Sequence, residues 1–125
     1  MNNIFFVILS ALLFTACSTT PTNPNAPTVL EQHKNISAAP NTKQNLARLI
    51  RQTDNCVIEF TGNFETGKAT EHWIFKGEQL ISAFSNVDAD IEQKQTVFDP
   101  KDAEKLKNFN SLKNNFKAAN LEKCN

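Results

Sequence analysis

The sequence predicts an α+β fold: a small antiparallel sheet of about four strands, with a short N-terminal helix and a longer C-terminal helix packed on one of its faces. Residues 56–98 alternate between apolar and polar positions and are interrupted by short turns, as in antiparallel strands that bury one face. Apolar residues at helical spacing flank this stretch on both sides. Helices that cover the buried face would complete one small domain.

The folded domain is expected to span residues 43–125, because residues 17–42 have the composition of a flexible tether. This segment is rich in Ser, Thr, Pro and Asn, and its prolines disfavour a long helix. It contains one weak apolar pair, Val29-Leu30, which either packs on the domain or stays loose.

The first predicted element is a helix that begins after an Asn41 or Thr42 cap and runs to about Asp54. Its apolar residues have the spacing i, i+3, i+4, which puts them on one face: Leu46, Leu49 and Ile50.

Four strands are expected next, each bounded by a turn. The first covers Cys56 to Thr61 and the second Lys68 to Phe75, with a turn bracketed by glycines between them. The third runs from Gln79 to Val87, and a weaker fourth from Ile91 to Phe98. Their short connections imply antiparallel pairing, because parallel neighbours need long crossovers.

The last predicted element is a helix with Asp99 as its N-cap and Pro100 at its first position, ending near Ala119. Its apolar residues form one stripe: Leu106, Phe109, Leu112 and Phe116.

The charge balance excludes one class of partner. Lys plus Arg equal Asp plus Glu at 13 each, so the formal net charge is zero. A nucleic-acid-binding domain would carry a basic surplus. We therefore expect no nucleic-acid partner.

The N-terminal residues indicate export. The apolar run from Ile4 to Leu13 is too short to cross a bilayer but suits the core of a signal peptide. Thr15 and Ala16 then lead into Cys17, which resembles the lipobox of bacterial lipoproteins. The resemblance implies a signal peptide at residues 1–16 and a lipidated Cys17 that attaches the protein to a membrane. A secretory signal cut elsewhere, or a buried N-terminal helix, is the alternative.

The same resemblance implies a location. In lipoproteins of Gram-negative bacteria, Asp directly after the lipidated cysteine retains the protein in the inner membrane, and this chain has Ser18 there. We therefore expect an outer-membrane lipoprotein whose domain faces the periplasm, with exposure at the cell surface as the alternative.

Lipidation of Cys17 would leave two cysteines, Cys56 and Cys124. Because export places them in an oxidising compartment, we expect them to form one disulfide. A redox-active or metal-binding pair is disfavoured, since no Cys-x-x-Cys spacing is present.

The polar candidates for chemistry are weak. His72 has no second histidine or free cysteine in the folded part with which to hold a metal. Glu59 and Glu71 lie on neighbouring predicted strands, but ordinary exposed strand residues are the favoured interpretation. We expect no enzyme activity, no metal and no cofactor. Asn86, Asp88, Asp90 and Glu92 are interpreted as a solvated polar turn, with weak calcium binding as the alternative. The lysines of the last helix are interpreted as a solvated face, with contact to anionic lipid or glycan as the alternative: Lys101, Lys105, Lys107, Lys113 and Lys117.

The aromatic residues suggest a weak candidate for a partner surface. Trp73, Phe75 and Phe84 would fall on two faces of one sheet, so some of them would be exposed. Trp73 is the predicted contact residue, because tryptophan is enriched at interaction hot spots.

The favoured function is a non-enzymatic, lipid-anchored envelope lipoprotein that binds another protein or peptidoglycan. The alternative is an inhibitor or immunity protein against a periplasmic lytic enzyme such as a lysozyme. The placement of Cys56 and Cys124 is faintly similar to that in membrane-bound lysozyme inhibitors, although the long terminal helix and the absence of Tyr differ from that family.

Overall fold

Six antiparallel strands form one sheet in simple chain order, β1-β2-β3-β4-β5-β6. The computed structural model describes residues 26–38, 42–64, 67–87 and 94–125. Cys17, the predicted signal peptide and three residues of the predicted polar turn (Asp88, Asp90 and Glu92) lie outside these ranges. The strands are β1 Thr28–Lys34, β2 Lys43–Arg51, β3 Cys56–Phe64, β4 Gly67–Lys76, β5 Gln79–Val87 and β6 Lys94–Phe98.

The predicted α+β fold with about four strands is wrong, because the described chain is mostly sheet with two short α-helices. The helices are α1, Ala103–Lys113, and α2, Ala118–Leu121, followed by a 3-10 turn, Glu122–Cys124. None of these helices is long and apolar enough to cross a membrane.

The predicted N-terminal helix is strand β2. Its buried side chains alternate, Asn45, Ala47 and Leu49, which is strand periodicity. The apparent helical spacing combines residues from both faces of the strand. Leu49 points to the buried face, whereas Leu46 and Ile50 point to the other face of the sheet. Backbone pairing with β1 on one side and β3 on the other decides the conformation.

Strand β1 lies within residues 17–42, the stretch that the composition assigns to a tether. It pairs antiparallel with β2 from Thr28 opposite Arg51 to Lys34 opposite Leu46. Leu30 is partly buried against the hydrophobic core. The folded part of the chain therefore begins earlier than residue 43.

The Asn45 side chain stabilises the connection between β1 and β2 through hydrogen bonds. Its Oδ1 accepts from the Ile36 backbone N–H at 2.8 Å, and its Nδ2 donates to the Ile36 carbonyl at 2.8 Å. The buried amide thus pairs with both backbone groups of Ile36, as a neighbouring strand would.

One face of the sheet, here the covered face, packs against the helices. In register, Ile58 lies opposite Trp73 and Cys56 opposite Phe75. The ring of Phe109 from α1 packs on Trp73 at 6.1 Å and on Phe75 at 5.2 Å, centroid to centroid. These side chains and their neighbours form the hydrophobic core of the domain: Ala38, Ala47, Leu49, Cys56, Ile58, Phe60, Trp73, Phe75, Leu80, Ala83, Phe109, Leu112, Phe116 and Cys124.

Helix α1 begins three residues later than predicted. Asp102, not Asp99, is its N-cap, and the Asp102 side chain accepts from the Lys105 backbone N–H at 3.0 Å. Asp99 instead accepts from the Lys101 N–H at 2.9 Å in the preceding turn. The helix ends at Lys113, because the chain turns there to cross the sheet toward β1.

The structure contains the disulfide Cys56–Cys124, with the two Cα atoms 5.4 Å apart. It joins the start of β3 to the final 3-10 turn across 68 residues. The Gly77 N–H also donates to the Cys124 carbonyl at 2.8 Å. The C-terminal turn is therefore attached to β3 covalently and to the β4–β5 turn by a hydrogen bond.

Candidate interaction surface

Trp73 is not a surface residue, so the predicted contact role does not fit this fold. Its side chain is 1% exposed and packs between Phe98, with ring centroids 5.5 Å apart, and Phe109 of α1. The Trp73 indole nitrogen is buried and meets no hydrogen-bond acceptor among the described residues. Trp73 therefore stabilises the core beneath α1.

The other face of the sheet, here the open face, carries no helix among the described residues. The strand register aligns one residue from each of five neighbouring strands across it: Arg48, Glu59, His72, Phe84 and Val97. We call these five residues the cross-strand row. It exists only because the five strands pair in this register, so separate parts of the chain contribute to one surface.

Side chains of the cross-strand row contact one another in pairs. The Arg48 guanidinium lies 3.4 Å from a Glu59 carboxylate oxygen, and the two side chains are 34% and 26% exposed. The His72 ring stacks on Phe84, with centroids 4.7 Å apart and an interplanar angle of 22°. Val97, on the edge strand β6, is 75% exposed. The row thus changes from charged to aromatic to aliphatic across the sheet.

Apolar residues flank the cross-strand row on one side. Val29, Ile50, Val57 and Ile74 are aligned by the pairing of β1 to β4. Val57, in the middle, is 5% exposed, whereas Val29 at the edge is 42% exposed. The open face is therefore a mixed surface with exposed aliphatic groups at both edge strands, suited to contact with another macromolecule.

His72 belongs to this surface and has no metal-binding partners within the described ranges. No group of three or more His, Cys, Asp or Glu side chains in the described part of the chain is arranged to hold a metal ion. Stacking on Phe84 gives the imidazole a packing role on the open face.

Glu59 and Glu71 do not form a carboxylate pair. Glu59 lies opposite His72 on the open face, whereas Glu71 lies opposite Phe60 and is buried on the covered face. Adjacent strand positions with opposite parity point to opposite faces, so the sheet itself separates the two carboxyl groups.

Glu71 is a buried acid in the core. Burial raises the pKa of Glu71 to about 7, while the charge of Lys105 acts in the opposite direction. Glu71 is 8% exposed. It is the one strongly perturbed acid among the described residues, and it faces the core rather than the open face.

No sequence pattern indicates a role for Glu31, because it lies in a stretch whose composition is that of a tether. Its carboxylate accepts from the Lys117 backbone N–H at 3.0 Å and from the Asn120 side chain at 2.7 Å, and it also pairs with His33. Burial by itself raises the pKa of Glu31, but the bonds from Asn120, His33 and Lys117 outweigh burial and hold the pKa below 4.5. No local pattern indicates a contact across 86 residues.

The lysines of the C-terminal region do not form one uniform solvated face. The Lys105 ammonium lies 4.1 Å from the Phe98 ring centroid, and that of Lys113 lies 4.9 Å from the Phe109 centroid. Lys101, Lys107 and Lys117 are exposed. Two of the predicted solvated lysines therefore cover aromatic rings of the core.

Fold and surface together define a class: a disulfide-closed antiparallel sheet with helices on one face and a mixed, open face on the other. No protein-family model, curated protein or solved structure matches the chain.

Proposed function

We propose that the protein is a non-enzymatic lipoprotein of the cell envelope, anchored through lipid on Cys17, which binds another envelope protein with its open face. One observation carries the binding proposal: Val97 is 75% exposed at the end of a cross-strand row that no described helix covers. Burying an exposed aliphatic side chain of an edge strand in an interface removes apolar surface from water, which stabilises the complex.

The lipid anchor is supported by sequence. An apolar run of signal-peptide length ends in Thr15-Ala16-Cys17, and a segment rich in Pro, Ser and Thr follows. The disulfide Cys56–Cys124 is in keeping with export, because such bonds persist in oxidising compartments. With Ser18 after the lipidated cysteine, we propose the outer membrane as the location, with the domain in the periplasm.

A protein partner suits the open face better than a glycan strand. Interfaces between proteins that also exist alone are about as apolar as the rest of the surface, with ion pairs at the rim. The open face has this mixture, from the Arg48–Glu59 pair to Val97. The residue best suited to stack on a sugar ring, Trp73, is buried.

Site-specific photocrosslinking in intact cells tests the proposed surface. A photoreactive amino acid at position 97 should give a discrete adduct with another envelope protein. The matched control places the same group at Lys107, an exposed residue of α1 on the opposite side of the sheet. Equal adduct patterns at both positions, or none at position 97, would overturn the open face as the binding surface.

The identity of the captured protein separates the two functional interpretations. A muramidase or amidase in the adduct at position 97 would assign the protein to the inhibitor class. A resident structural protein of the envelope would assign it to the scaffold class.

The anchor is tested separately. Changing Cys17 to Ser should abolish labelling by a fatty-acid analogue and release the mature protein from membranes. Labelling that persists in this variant would contradict lipidation at Cys17.

A further inference from the structure

A polar cavity of about 110 Å³ lies at the end of the sheet where the disulfide closes the chain. Three segments meet there: the β2–β3 turn, the end of β4 and the C-terminal residues. Its lining includes three basic side chains, Arg51, Lys76 and Lys123, and one acidic side chain, Asp54. The side-chain charge around the cavity is therefore positive, although the whole chain has a formal net charge of zero.

Strand pairing and the disulfide together bring the three basic residues to one end of the sheet. Arg51 lies opposite Cys56 in the β2–β3 ladder, and Lys76 follows Phe75, which lies opposite Cys56 on the other side. Lys123 directly precedes Cys124. Strand pairing or covalent bonding thus holds the backbone of each basic residue near the Cys56–Cys124 bond.

None of the three cations is neutralised by a salt bridge within the described ranges. The ion pairs found there are Arg48 with Glu59 and His33 with Glu31, and both lie elsewhere in the sheet. Arg51, Lys76 and Lys123 are all exposed, so their charged groups can reach a ligand from solvent. Unpaired cations around a concave site favour a small anionic group such as a phosphate.

The cavity also lies at the end of the domain that the chain enters. Thr28, the first residue of β1, pairs with Arg51 of the cavity lining. Only the residues between Cys17 and Thr28 separate the proposed lipid from this point, and even a fully extended chain of that length spans at most about 40 Å. The basic cavity is therefore at the tethered end of the domain.

We propose that the cavity formed by Arg51, Lys76 and Lys123 binds the phosphate of an anionic phospholipid headgroup and docks the domain on its own membrane. The proposal rests on the lipid anchor proposed above. Tethering keeps the local concentration of headgroups high, so a site too weak to bind free lipid in solution becomes occupied. Docking would fix the orientation of the sheet and hold the open face at a defined height above the bilayer.

The single tryptophan of the chain supplies a native probe for docking. Full-length lipidated protein is placed in vesicles of phosphatidylcholine, with or without about one third phosphatidylglycerol, that contain a trace of dansyl-headgroup lipid. Energy transfer from Trp73 to dansyl should be at least twofold greater in the anionic vesicles. Raising the salt concentration should return it to the phosphatidylcholine level, because exposed ion pairs are screened.

Matched variants locate the effect. The triple change Arg51→Ala, Lys76→Ala, Lys123→Ala should remove the gain in transfer, with a melting curve to show that the variant is folded. The control triple removes the same charge from exposed lysines elsewhere, Lys68→Ala, Lys101→Ala, Lys107→Ala, and should keep the gain. An equal loss in both triples would assign the effect to overall charge and overturn the cavity as the site.

Flotation separates failure of the anchor from failure of docking. Protein that does not float with vesicles contradicts the lipid anchor, and the docking proposal falls with it. Protein that floats but shows the same transfer in both vesicle types overturns docking alone. Inorganic phosphate is added at constant ionic strength as a competitor. If it suppresses energy transfer and the two vesicle types do not differ, the cavity is assigned to free phosphate instead of a lipid headgroup.

Discussion

Glu31 illustrates how one carboxylate can connect the two ends of a fold. It lies on the edge strand β1, yet it binds the Lys117 backbone N–H and the Asn120 side chain at the start of α2. Lys117, the N-cap residue of α2, makes no capping hydrogen bond with its own side chain. The Glu31 carboxylate therefore binds the backbone N–H of the N-cap residue from a distant strand, as the Glu of a capping box does from within its own helix, and negative charge is favoured there.

Changing Glu31 to Ala should destabilise the domain by about 1–3 kcal/mol at pH 7, because it leaves the Lys117 backbone N–H and the Asn120 side-chain amide without their acceptor. The pKa of Glu31 is lowered from 4.5, so its stabilisation is present above pH 4.5 and is lost as the pH falls through the folded-state pKa. Denaturant unfolding at several pH values should show the two proteins converging in acid. Glu122→Ala, at an exposed acid in the final turn, is the control and should behave as wild type.

Glu71 predicts the opposite pH dependence. Burial raises its pKa from 4.5 to about 7, so the folded state binds a proton that the unfolded state has released, and stability falls as the pH rises between these values. Glu71→Gln removes this titration and should be more stable than wild type at pH 8, relative to pH 4.5, by roughly 2–3 kcal/mol. Glu59→Gln on the open face serves as the control. Parallel pH profiles for wild type and Glu71→Gln would contradict a buried, protonated Glu71.

At the scale of elements, the sequence predicts the second half of the domain well and the first half poorly. Strands β3 to β5 and the buried stripe of α1 fall where alternation and helical spacing indicate, because their side chains alone decide which face is buried. The sequence of strand β2 predicts a helix for two reasons. A core position is occupied by polar Asn45, which hides the strand alternation, and Leu46 and Ile50 of the other face complete a helical spacing with Leu49. Strand β1 is hidden by polar composition, since much of it is held by pairing and by Glu31 rather than by apolar burial.

The open face could be predicted only in part. Alternation correctly separates Trp73 and Phe75 from His72 and Ile74. It does not say which of these two faces the helices cover, since both carry aromatic residues. The cross-strand row also depends on the register of five strands, and register is set by pairing that no short sequence window contains.

The disulfide makes a prediction at this scale. In the loop-entropy model, closing a loop of this length stabilises a protein by roughly 4 kcal/mol. The double change Cys56→Ser, Cys124→Ser should therefore cost about 2–5 kcal/mol and lower the thermal midpoint. Titration of free thiols in protein taken directly from its compartment provides the control for oxidation. Two reactive thiols in the unchanged protein, or an unchanged melting temperature in the variant, would contradict a stabilising bridge.

At the scale of the whole molecule, the two faces of the sheet and one of its ends have different roles. The covered face builds the core, the open face presents the cross-strand row, and the end of the sheet at Thr28 and Arg51 connects to the proposed anchor. The two edge strands have different surroundings, because β1 is bound by the C-terminal segment through Glu31, whereas β6 carries the exposed Val97. The side of the sheet farther from the tether is therefore the more accessible to a partner.

Sorting of the lipidated chain is a prediction about the whole protein. With Ser18 after the lipidated cysteine, membrane fractionation of a Gram-negative host should recover the protein with the outer membrane. Changing Ser18 to Asp should move it to the inner membrane without changing its fatty-acid labelling. Wild-type protein found only in the inner membrane would contradict the proposed location.

The position of the disulfide has a mechanical consequence. The loop closed by the disulfide begins at Cys56. Strands β1 and β2 therefore lie outside this loop, between the proposed anchor and residues 56–124. A pull on Thr28 along the strand would load the β1–β2 hydrogen bonds together in shear, rather than one at a time. If those two strands separated from the sheet, residues 28–55 would release at most about 100 Å of extended chain before the load reached Cys56. A pull from the membrane anchor would thus release β1 and β2 first, and Ala47 and Leu49 would leave the core with them, while residues 56–124 remained a covalently closed loop.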